Sequence, residues 1–348
     1  MKTRFAFVGF RHGHILDVLT GVEGREDAEV VACCEEDPAT REALAAKGQI
    51  QISHTDFATM LREVDCDVIA IGDYYAKRGA LALAALRAGR HVLSDKPLCT
   101  SLAEQDEIER LAAQKHLRVG LQLDTRDYAA PRKLREIIRD GQIGEVASIH
   151  IDGQHPLLPG SRSGWYFEPG KHGGTINDIG IHAFDFIPWM TGLAWGEVRA
   201  ARSWNAKAHA FPHFEDCAQM MATLENGAGV LADFSYLAPD TLGYKLPHYW
   251  HILVHGTQGL AESHLSAKEI TVIKDSSAAP ETISVGTNRT RGYLEDYLQE
   301  LRGVSAPGSP PIRSPEELGR ECDEEMLTSA ACLRASRLAL TVQAMAKS

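Results

Sequence analysis

Short apolar runs alternate with segments of helical periodicity through the first third of the chain, and this alternation constrains the fold more than any other feature. The strand-like runs are residues 4–8, 29–34, 67–71, 90–94 and 117–121. After the first of them, apolar residues recur at helical spacing from Ile15 to Val22. Strands that are joined through helices lie parallel, with the helices on both faces of the sheet. We therefore expect an α/β fold whose N-terminal domain is a doubly wound parallel sheet.

The second part of the chain carries a different pattern. After a helix expected at 131–140, alternating apolar and polar residues predict strands at 145–152, 218–224, 229–236, 251–254 and 269–273. We therefore expect a C-terminal α+β domain with a large, mostly antiparallel sheet and a last helix that begins near Ser314-Pro315. The 348 residues exceed one usual core, which predicts domains at 1–124 and 125–348.

Composition limits the partners and the location. An excess of 47 acidic over 36 basic residues gives a net charge of −11, which disfavours nucleic acid. No run approaches the roughly 18 to 20 apolar residues of a membrane span, so no membrane partner is expected. The strand pattern begins at residue 4 and the seven cysteines lack CxxC spacing, so we expect a cytoplasmic protein with reduced thiols.

An apolar outer sheet face would be covered most simply by a second copy, as a homodimer or homotetramer.

The turn after the first strand is a modified dinucleotide-binding turn. The Rossmann fingerprint G-x-G-x-x-G lets backbone amides approach a pyrophosphate at a helix N-terminus. Here the turn reads Gly9-Phe-Arg-His-Gly-His14, so Arg11 and His14 occupy two of the glycine positions. This segment is either a cofactor site, in which Arg11 faces the phosphates, or a purely structural turn.

An acidic residue lies where a dinucleotide site needs one. Glu35 ends the second strand-like run, 26 residues beyond Gly9, and a carboxylate there could accept hydrogen bonds from ribose hydroxyls. Its charge would repel a 2′-phosphate, which favours NAD, while the nearby Arg41 keeps NADP open. The alternative is that 35–37 is simply a charged surface.

Three residues could handle a proton. Lys96 follows a strand-like run and precedes Pro97, at the sheet edge where open α/β sheets bind their ligands. Asp178 and His182 are four residues apart, so a helix would place both on one face. The alternatives are a solvated turn lysine for Lys96 and a buried ion pair that anchors a helix for Asp178 and His182.

Histidines are frequent in the second half, but none forms an H-E-x-x-H motif or another close ligand cluster. We therefore expect no metal and assign these histidines to substrate contact or structure. Trp165 and Tyr166 are expected in the core or stacked on a sugar ring.

Taken together, these residues resemble the Gfo/Idh/MocA family of nicotinamide-dependent oxidoreductases over nearly the whole chain. The resemblance is carried by Gly9, Glu35, the Asp95-Lys96-Pro97 turn and the segment 173–182. It implies a Rossmann domain joined to an α/β domain whose large sheet serves oligomerisation. It also implies the oxidation or reduction of sugars, cyclitols and related polyols.

The resemblance further implies roles for individual residues. His182 would be the general base, Lys96 would stabilise negative charge on the same oxygen, and Asp178 would orient substrate or imidazole. The implied cofactor contacts are Gly9, Phe10, Arg11, His12, Gly13, His14, Glu35, Asp73, Tyr74, Asp95 and Lys96. The implied substrate contacts are Lys96, Gln122, Trp165, Asp178 and His182.

One segment departs from the family pattern. The usual Ala-Thr-Pro-Asn-x-x-His is replaced by Gly72-Asp-Tyr-Tyr-Ala-Lys-Arg78. This change puts the usual cofactor geometry in question, and Lys77 and Arg78 are expected to bring positive charge toward the cleft.

The leading interpretation is an oxidoreductase that transfers a hydride between NAD(P) and a secondary alcohol of a sugar, cyclitol or related polyol. One alternative is a redox-neutral, NAD-dependent glycosidase or epimerase that oxidises a sugar transiently. The other is a catalytically silent nucleotide or sugar sensor, suggested by the altered turn and by Tyr74-Tyr75.

Overall fold

The N-terminal part of the computed structural model is a five-stranded parallel sheet. The structure describes residues 2–48, 50–246, 248–289, 292–304 and 326–346. The strands are β1 (Thr3–Val8), β2 (Ala28–Cys34), β3 (Val68–Ile71), β4 (His91–Ser94) and β5 (Val119–Leu121). They lie in the order β2-β1-β3-β4-β5, and every neighbouring pair is parallel. The doubly wound sheet predicted from the alternating pattern is confirmed.

Five helices connect and cover these strands: α1 (Ile15–Glu23), α2 (Pro38–Lys47), α3 (Phe57–Glu63), α4 (Tyr75–Arg87) and α5 (Leu102–Lys115). Strand β1 lies between β2 and β3, and Phe5 to Val8 are buried because helices cover both faces of the sheet. The chain leaves β1 toward β2 on one side, while β3 lies on the other. The carboxyl ends of β1 and β3 therefore border a crevice, the usual ligand position of such sheets.

The C-terminal part contains an eight-stranded sheet. Its strands are β6 (Val146–Pro156), β7 (Trp195–Trp204), β8 (Cys217–Leu224), β9 (Gly229–Ala238), β10 (His251–Gly256), β11 (Gly259–His264), β12 (Glu269–Lys274) and β13 (Glu281–Ser284). Their order is β13-β12-β11-β10-β6-β9-β8-β7, with only β6 and β9 parallel among the described pairs. The mostly antiparallel sheet is confirmed. Strand β7 was not predicted, because its exposed and half-buried residues do not alternate.

Four helices complete the described part of this half: α6 (Ala129–Arg139), α7 (Ile181–Thr191), α8 (Gly292–Val304) and α9 (Ser329–Ala346). Helix α9 contacts both halves, because Ser336 Oγ donates to Gln105 and the Gln343 side chain accepts from the Ile176 amide. The C-terminal segment therefore ties the two sheets together. The helix start predicted near Ser314-Pro315 lies outside the described residues, and the boundary at 124/125 stays a prediction.

Candidate active site

Lys96 and Asp178 meet between the two halves of the molecule. Strand β4 ends at Ser94, and the Asp95-Lys96-Pro97 turn that follows directs Lys96 across the crevice. Its ammonium group donates to Oδ1 of Asp178 at 2.7 Å and to the Asp178 carbonyl at 3.0 Å. Both side chains are buried. The solvated-lysine alternative is therefore wrong.

The Asp178 carboxylate accepts several further hydrogen bonds. The Tyr75 hydroxyl donates to Oδ1 at 2.9 Å, the Tyr236 hydroxyl donates to Oδ2, and Nε2 of His172 lies 3.5 Å from Oδ2. Burial alone would raise the pKa of Asp178, but the nearby Lys96 and His172 outweigh burial and hold it well below its ordinary value. Asp178 is thus a fixed anion that orients a lysine.

His182 lines the same cavity but has a different partner. Its Nδ1 lies 3.1 Å from Oγ1 of Thr125, and no described hydrogen bond joins it to Asp178. Burial, reinforced by the charge of Lys96, lowers the pKa of His182 well below its ordinary value. The imidazole is therefore neutral at pH 7 and can accept a proton. The expected acid–base pair of Asp178 and His182 is replaced by a Lys96–Asp178 pair beside a neutral histidine.

The backbone explains this geometry. Asp178 lies in a single π-helical turn (Ile176–Gly180) that continues into α7, where His182 lies. Such turns shift the side-chain register and occur frequently at functional sites. The preceding Gly173 and Gly174 have φ values of +86° and +106°. A Cβ on Gly174 would lie 2.2 Å from the Gln343 side chain, which itself accepts from the Ile176 amide at 2.9 Å. The glycine pair lets α9 support the turn that carries Asp178.

Arg78 holds the turn that presents Lys96. This fully buried guanidinium pairs with Asp95 at 2.7 Å and donates to the carbonyls of Lys96 and Pro97 at 2.5 and 3.1 Å. Lys77 in turn pairs with Glu36 and Asp73 at 2.7 and 3.1 Å. The expectation that both would bring free positive charge to the cleft is wrong, because protein groups neutralise both.

The first turn has the geometry that a dinucleotide requires. Gly9 has a φ of +76°, and a Cβ there would lie 2.6 to 2.9 Å from Asp73. The amide N–H groups of Arg11, Gly13 and His14 donate to no acceptor among the described residues. Three free amides beside the N-terminus of α1 suit a pyrophosphate. The modified turn therefore fits the phosphates of NAD despite its missing glycines.

The other implied cofactor contacts surround this turn. Glu35 is fully buried, and its carboxylate accepts from the amides of Phe10 and Asp37 at 2.6 and 2.8 Å. Arg11 pairs with Asp73 at 2.7 Å and lies over the Tyr74 ring. Burial raises the pKa of Glu35. Glu35 thus fixes the end of the turn, and its contact with a ribose stays a prediction.

His12, His14 and Asp95 form a compact cluster at the mouth of the cavity. Nδ1 of His12 contacts Asp95, Nδ1 of His14 lies 3.5 Å from Oδ1 of Asp95, and the ligand atoms of all three fall within 4.8 Å of one another. The spacing would suit a metal ion, although Arg78 already neutralises the Asp95 carboxylate. The expectation of no metal stays a prediction.

A cavity of about 240 Å³ opens onto Lys96 and His182. Six of the site residues implied by the sequence line this cavity: His12, His14, Lys96, Gln122, Asp178 and His182. Its wall also contains residues that the sequence did not single out for the site: Asp17, Asp124, Thr125, Tyr128, His155, Arg162, Tyr166, Tyr244, Tyr249, Trp250 and Leu265. Most come from loops and strands without a local motif, although His155 and Tyr166 stood among the noted histidines and aromatic residues.

Trp165 is buried in the core, one of its two expected positions, and does not line the cavity as its implied substrate contact would require. Its ring stacks on Tyr166 at 4.2 Å, and its indole nitrogen donates to the Arg11 carbonyl at 3.1 Å. Tyr166, not Trp165, lines the cavity. Trp165 therefore braces the first turn against the second half of the molecule.

Fold and site together define a two-domain nucleotide-binding protein of the oxidoreductase class. Residues 3–123 match the model described as oxidoreductase family, NAD-binding Rossmann fold, and residues 132–262 match the GFO/IDH/MocA C-terminal domain. The chain belongs to the Gfo/Idh/MocA family, and its N-terminal domain is an NAD-binding Rossmann domain.

The named relatives differ in their activities. The chain is 31% identical to 1,5-anhydro-D-fructose reductase of Ensifer adhaerens over 47% of this chain and 49% of that protein. It is 25% identical to inositol 2-dehydrogenase 2 of Saccharopolyspora erythraea over 67% and 65%. The chain spans about half the length of the first curated relatives that it matches.

An oxidoreductase from Agrobacterium radiobacter, solved with NAD+, L-tartaric acid and magnesium, has the same fold. The TM-score is 0.76 at 17% identity, over 100% of this chain and 97% of that chain.

In the described part of the chain, no helix has the length and apolar character needed to cross a bilayer.

Proposed function

We propose that this chain is an NAD-dependent dehydrogenase that acts on a secondary alcohol of a sugar, cyclitol or related polyol. The observation that carries the proposal is the meeting of Lys96, Asp178 and neutral His182 in one cavity beside the dinucleotide turn. The relatives named anhydrofructose reductase and inositol dehydrogenase support this substrate class.

Each residue has a distinct task in the proposed reaction. The substrate hydroxyl lies between Nζ of Lys96 and the imidazole of His182, and His182 accepts its proton during oxidation. Lys96 donates a hydrogen bond to the same oxygen and stabilises its developing negative charge. Asp178 holds the ammonium group in place through its 2.7 Å contact. When bound, the nicotinamide exchanges a hydride with the carbinol carbon.

A residue of the cavity wall sets the orientation of His182. Thr125 lies 3.1 Å from Nδ1 of His182 and fixes the orientation of the ring, which leaves Nε2 for the substrate. Burial of Lys96, Asp178 and His182 excludes most water, so their electrostatic effects on the oxygen are stronger than in solution.

The test is a screen of sugars, cyclitols and their acids with NAD and with NADP, followed by the absorbance of the reduced cofactor. Net formation of NADH from an alcohol supports the dehydrogenase. Tightly bound NAD that survives purification, with product but no net NADH, would instead indicate the redox-neutral alternative. Binding of nucleotide or sugar with no product under any condition would leave only the sensor.

We also propose that copies of the chain associate through the outer face of the large sheet. Met221 and Leu231 pair across β8 and β9, and they are 47% and 48% exposed. Apolar side chains paired on an open sheet face favour burial by another molecule. A cytoplasmic location is the remaining proposal, supported by the six cysteines of the described residues, which are all free and buried.

A further inference from the structure

One corner of the cavity is built around an arginine that has no acidic ion-pair partner in the described part of the chain. We define the Arg162 corner as Arg162, Tyr244 and His155, all of which line the cavity. Nε of Arg162 donates to the Leu157 carbonyl at 2.8 Å, and Nη2 donates to the Pro156 carbonyl at 2.9 Å. Nη2 also lies 3.0 Å from the Tyr244 hydroxyl. These bonds fix the guanidinium without neutralising it.

The orientation of Arg162 is set further by two aromatic rings. The guanidinium carbon lies 4.8 Å from the Tyr166 ring centre and 5.2 Å from that of Tyr236. Nη1 makes no hydrogen bond among the described residues, and it is not among the atoms sealed from solvent. No carboxylate of the described residues lies within ion-pair distance of Arg162, which differs in this respect from Arg78 and Arg126. A preorganised donor therefore stays unpaired, among the described residues, on a side chain that lines the cavity.

His155 supplies a second unpaired group in the same corner. It is 8% exposed, and its Nδ1 is buried without a hydrogen-bond partner, while Nε2 lies 3.2 Å from the Tyr249 hydroxyl. Burial lowers the pKa of His155 to about 3, so the ring is neutral and has one N–H to donate. If the Tyr249 hydroxyl donates to Nε2, that N–H is on Nδ1. Leaving this sealed atom unpaired costs stability.

The charges of the other lining residues do not neutralise this corner. Lys96 is paired with Asp178, and burial lowers the pKa of His12 to about 4, so that ring is neutral. Asp17 and Asp124 also line the cavity, but neither is among the main electrostatic partners of Arg162, which are three tyrosine hydroxyls and Asp178. The main partners of Asp124 are His14, Lys96 and Asp17. The cavity therefore has an uncompensated positive charge at the Arg162 corner.

We propose that the Arg162 corner binds a carboxylate, and that the substrate is consequently a hydroxy acid of the sugar or cyclitol class, such as an aldonate or a uronate. This proposal rests on the proposed function for the position of the reacting alcohol at Lys96 and His182. Arginine binds carboxylates through charge-assisted hydrogen bonds from a planar fork, and here Nη1 and the Tyr244 hydroxyl can contact the two oxygens. The carboxylate would fix which hydroxyl of the substrate reaches Lys96.

The test compares matched acids and neutral compounds with the full-length protein. The pairs are D-glucuronate with D-glucose, D-galacturonate with D-galactose and D-gluconate with D-glucitol, and D-glucose 6-phosphate represents a phosphate source of negative charge. We expect the wild type to prefer the acid of a pair by at least about tenfold in kcat/KM, the scale of one charged hydrogen bond. Equal use of the neutral partner, or a preference for the phosphate, would overturn the proposal.

Substitutions of Arg162 test whether this residue causes the preference for acids over neutral compounds. Arg162→Met should lower the ratio of acid to neutral kcat/KM by about tenfold to a hundredfold, mainly through KM for the acid. Arg162→Lys keeps the charge without the fork and should retain part of the preference. Arg110→Met, which removes an exposed arginine on α5, is the matched control and should leave the ratio unchanged. An unchanged ratio in a folded, NAD-binding Arg162→Met variant would overturn the proposal.

A binding experiment separates this proposal from the proposed function. D-glucuronate and D-gluconate are titrated calorimetrically into the NAD-loaded wild type and into Arg162→Met. Binding of either acid that depends on Arg162, without turnover of any alcohol, would support the carboxylate site while the dehydrogenase fails. Turnover restricted to neutral polyols would support the dehydrogenase and overturn the carboxylate site, and so would the absence of acid binding.

Discussion

The ammonium group of Lys96 lies 2.7 Å from Oδ1 of Asp178, although the two residues are 82 positions apart in the chain. Lys96 comes from the end of a parallel strand, and Asp178 comes from a π-helical turn of the other half. Each neutralises the other at a depth where an unpaired charge would cost several kcal/mol. The pair therefore both joins the two halves and places a hydrogen-bond donor at the proposed reaction centre.

Lys96→Met should lower kcat for an identified alcohol by at least about a hundredfold while NAD still binds. The variant loses the donor that stabilises negative charge on the substrate oxygen, but the turn at Gly9 keeps its free amides. Steady-state kinetics and fluorescence titration with NADH measure the two effects. Lys133→Met removes a surface lysine paired with Glu136 and is the matched control. Wild-type turnover in the Lys96 variant would remove Lys96 from the mechanism.

His182→Ala should also lower turnover by at least about a hundredfold, because the variant lacks the proton acceptor. In the wild type, burial and Lys96 lower the pKa of His182 well below 6.5. A base is active only when unprotonated, so the rate of oxidation should stay level as pH falls from 8 to about 6.5. A pH profile of kcat/KM checks this, with His209→Ala, an exposed histidine, as the control. An acid limb centred at or above pH 6.5 would contradict the assignment.

Arg78→Met should destabilise the protein by about 3 to 5 kcal/mol, the usual scale for removing one partner of a buried ion pair. The loss would leave the Asp95 carboxylate and the carbonyls of Lys96 and Pro97 without their donor. Arg78→Lys should not restore stability, because one ammonium group cannot reach all these acceptors. Urea denaturation measures the change. Arg87→Met, at an exposed position of the same helix, should stay within about 0.5 kcal/mol of the wild type.

Asp127→Asn should make stability less dependent on pH. Burial raises the pKa of Asp127 to about 7 in the folded protein, from an ordinary value near 3.8. The folded state thus holds a proton that the unfolded state has lost, so this stabilisation is complete below pH 3.8 and disappears as pH rises through 7. Between pH 5 and pH 7 the wild type should lose about 2 kcal/mol relative to the variant.

Unfolding free energies at several pH values test the Asp127 prediction, with the exposed Asp140→Asn as a control. A constant difference between wild type and Asp127→Asn across this range would show that the carboxyl group is ionised throughout.

Substituting Met221 and Leu231 together by glutamate should dissociate the proposed oligomer. The two residues face each other on adjacent strands, and burying a pair of carboxylates in an apolar contact is costly. Light scattering coupled to gel filtration measures the mass. Leu102→Glu changes an exposed leucine on α5 and should leave the mass unaltered. If the wild type is already monomeric, the sheet face is not an interface between copies.

The short motifs of the site were predictable from the sequence, but the residues that contact their side chains in the folded protein were not. The Asp95-Lys96-Pro97 turn, the glycine pair and the spacing of Asp178 and His182 are short-range patterns, and Lys96, Asp178 and His182 do line one cavity. The sequence suggested that Asp178 and His182 act as a pair. Instead, Asp178 forms an ion pair with Lys96, and His182 contacts Thr125. A π-helical turn changes the relative direction of two side chains, and no local spacing reveals it.

The sequence by itself determined the two kinds of sheet, because hydrophobic periodicity is set by which face of each strand or helix must be buried. It also determined the family, because the motifs that carry the resemblance lie in short segments. Only the tertiary structure decided that Arg78 neutralises Asp95, that Tyr166 rather than Trp165 faces the cavity, and that Arg162 forms no ion pair with a carboxylate of the described residues. Those relationships depend on distances between residues far apart in the chain, and the low dielectric of the interior makes each of them energetically important.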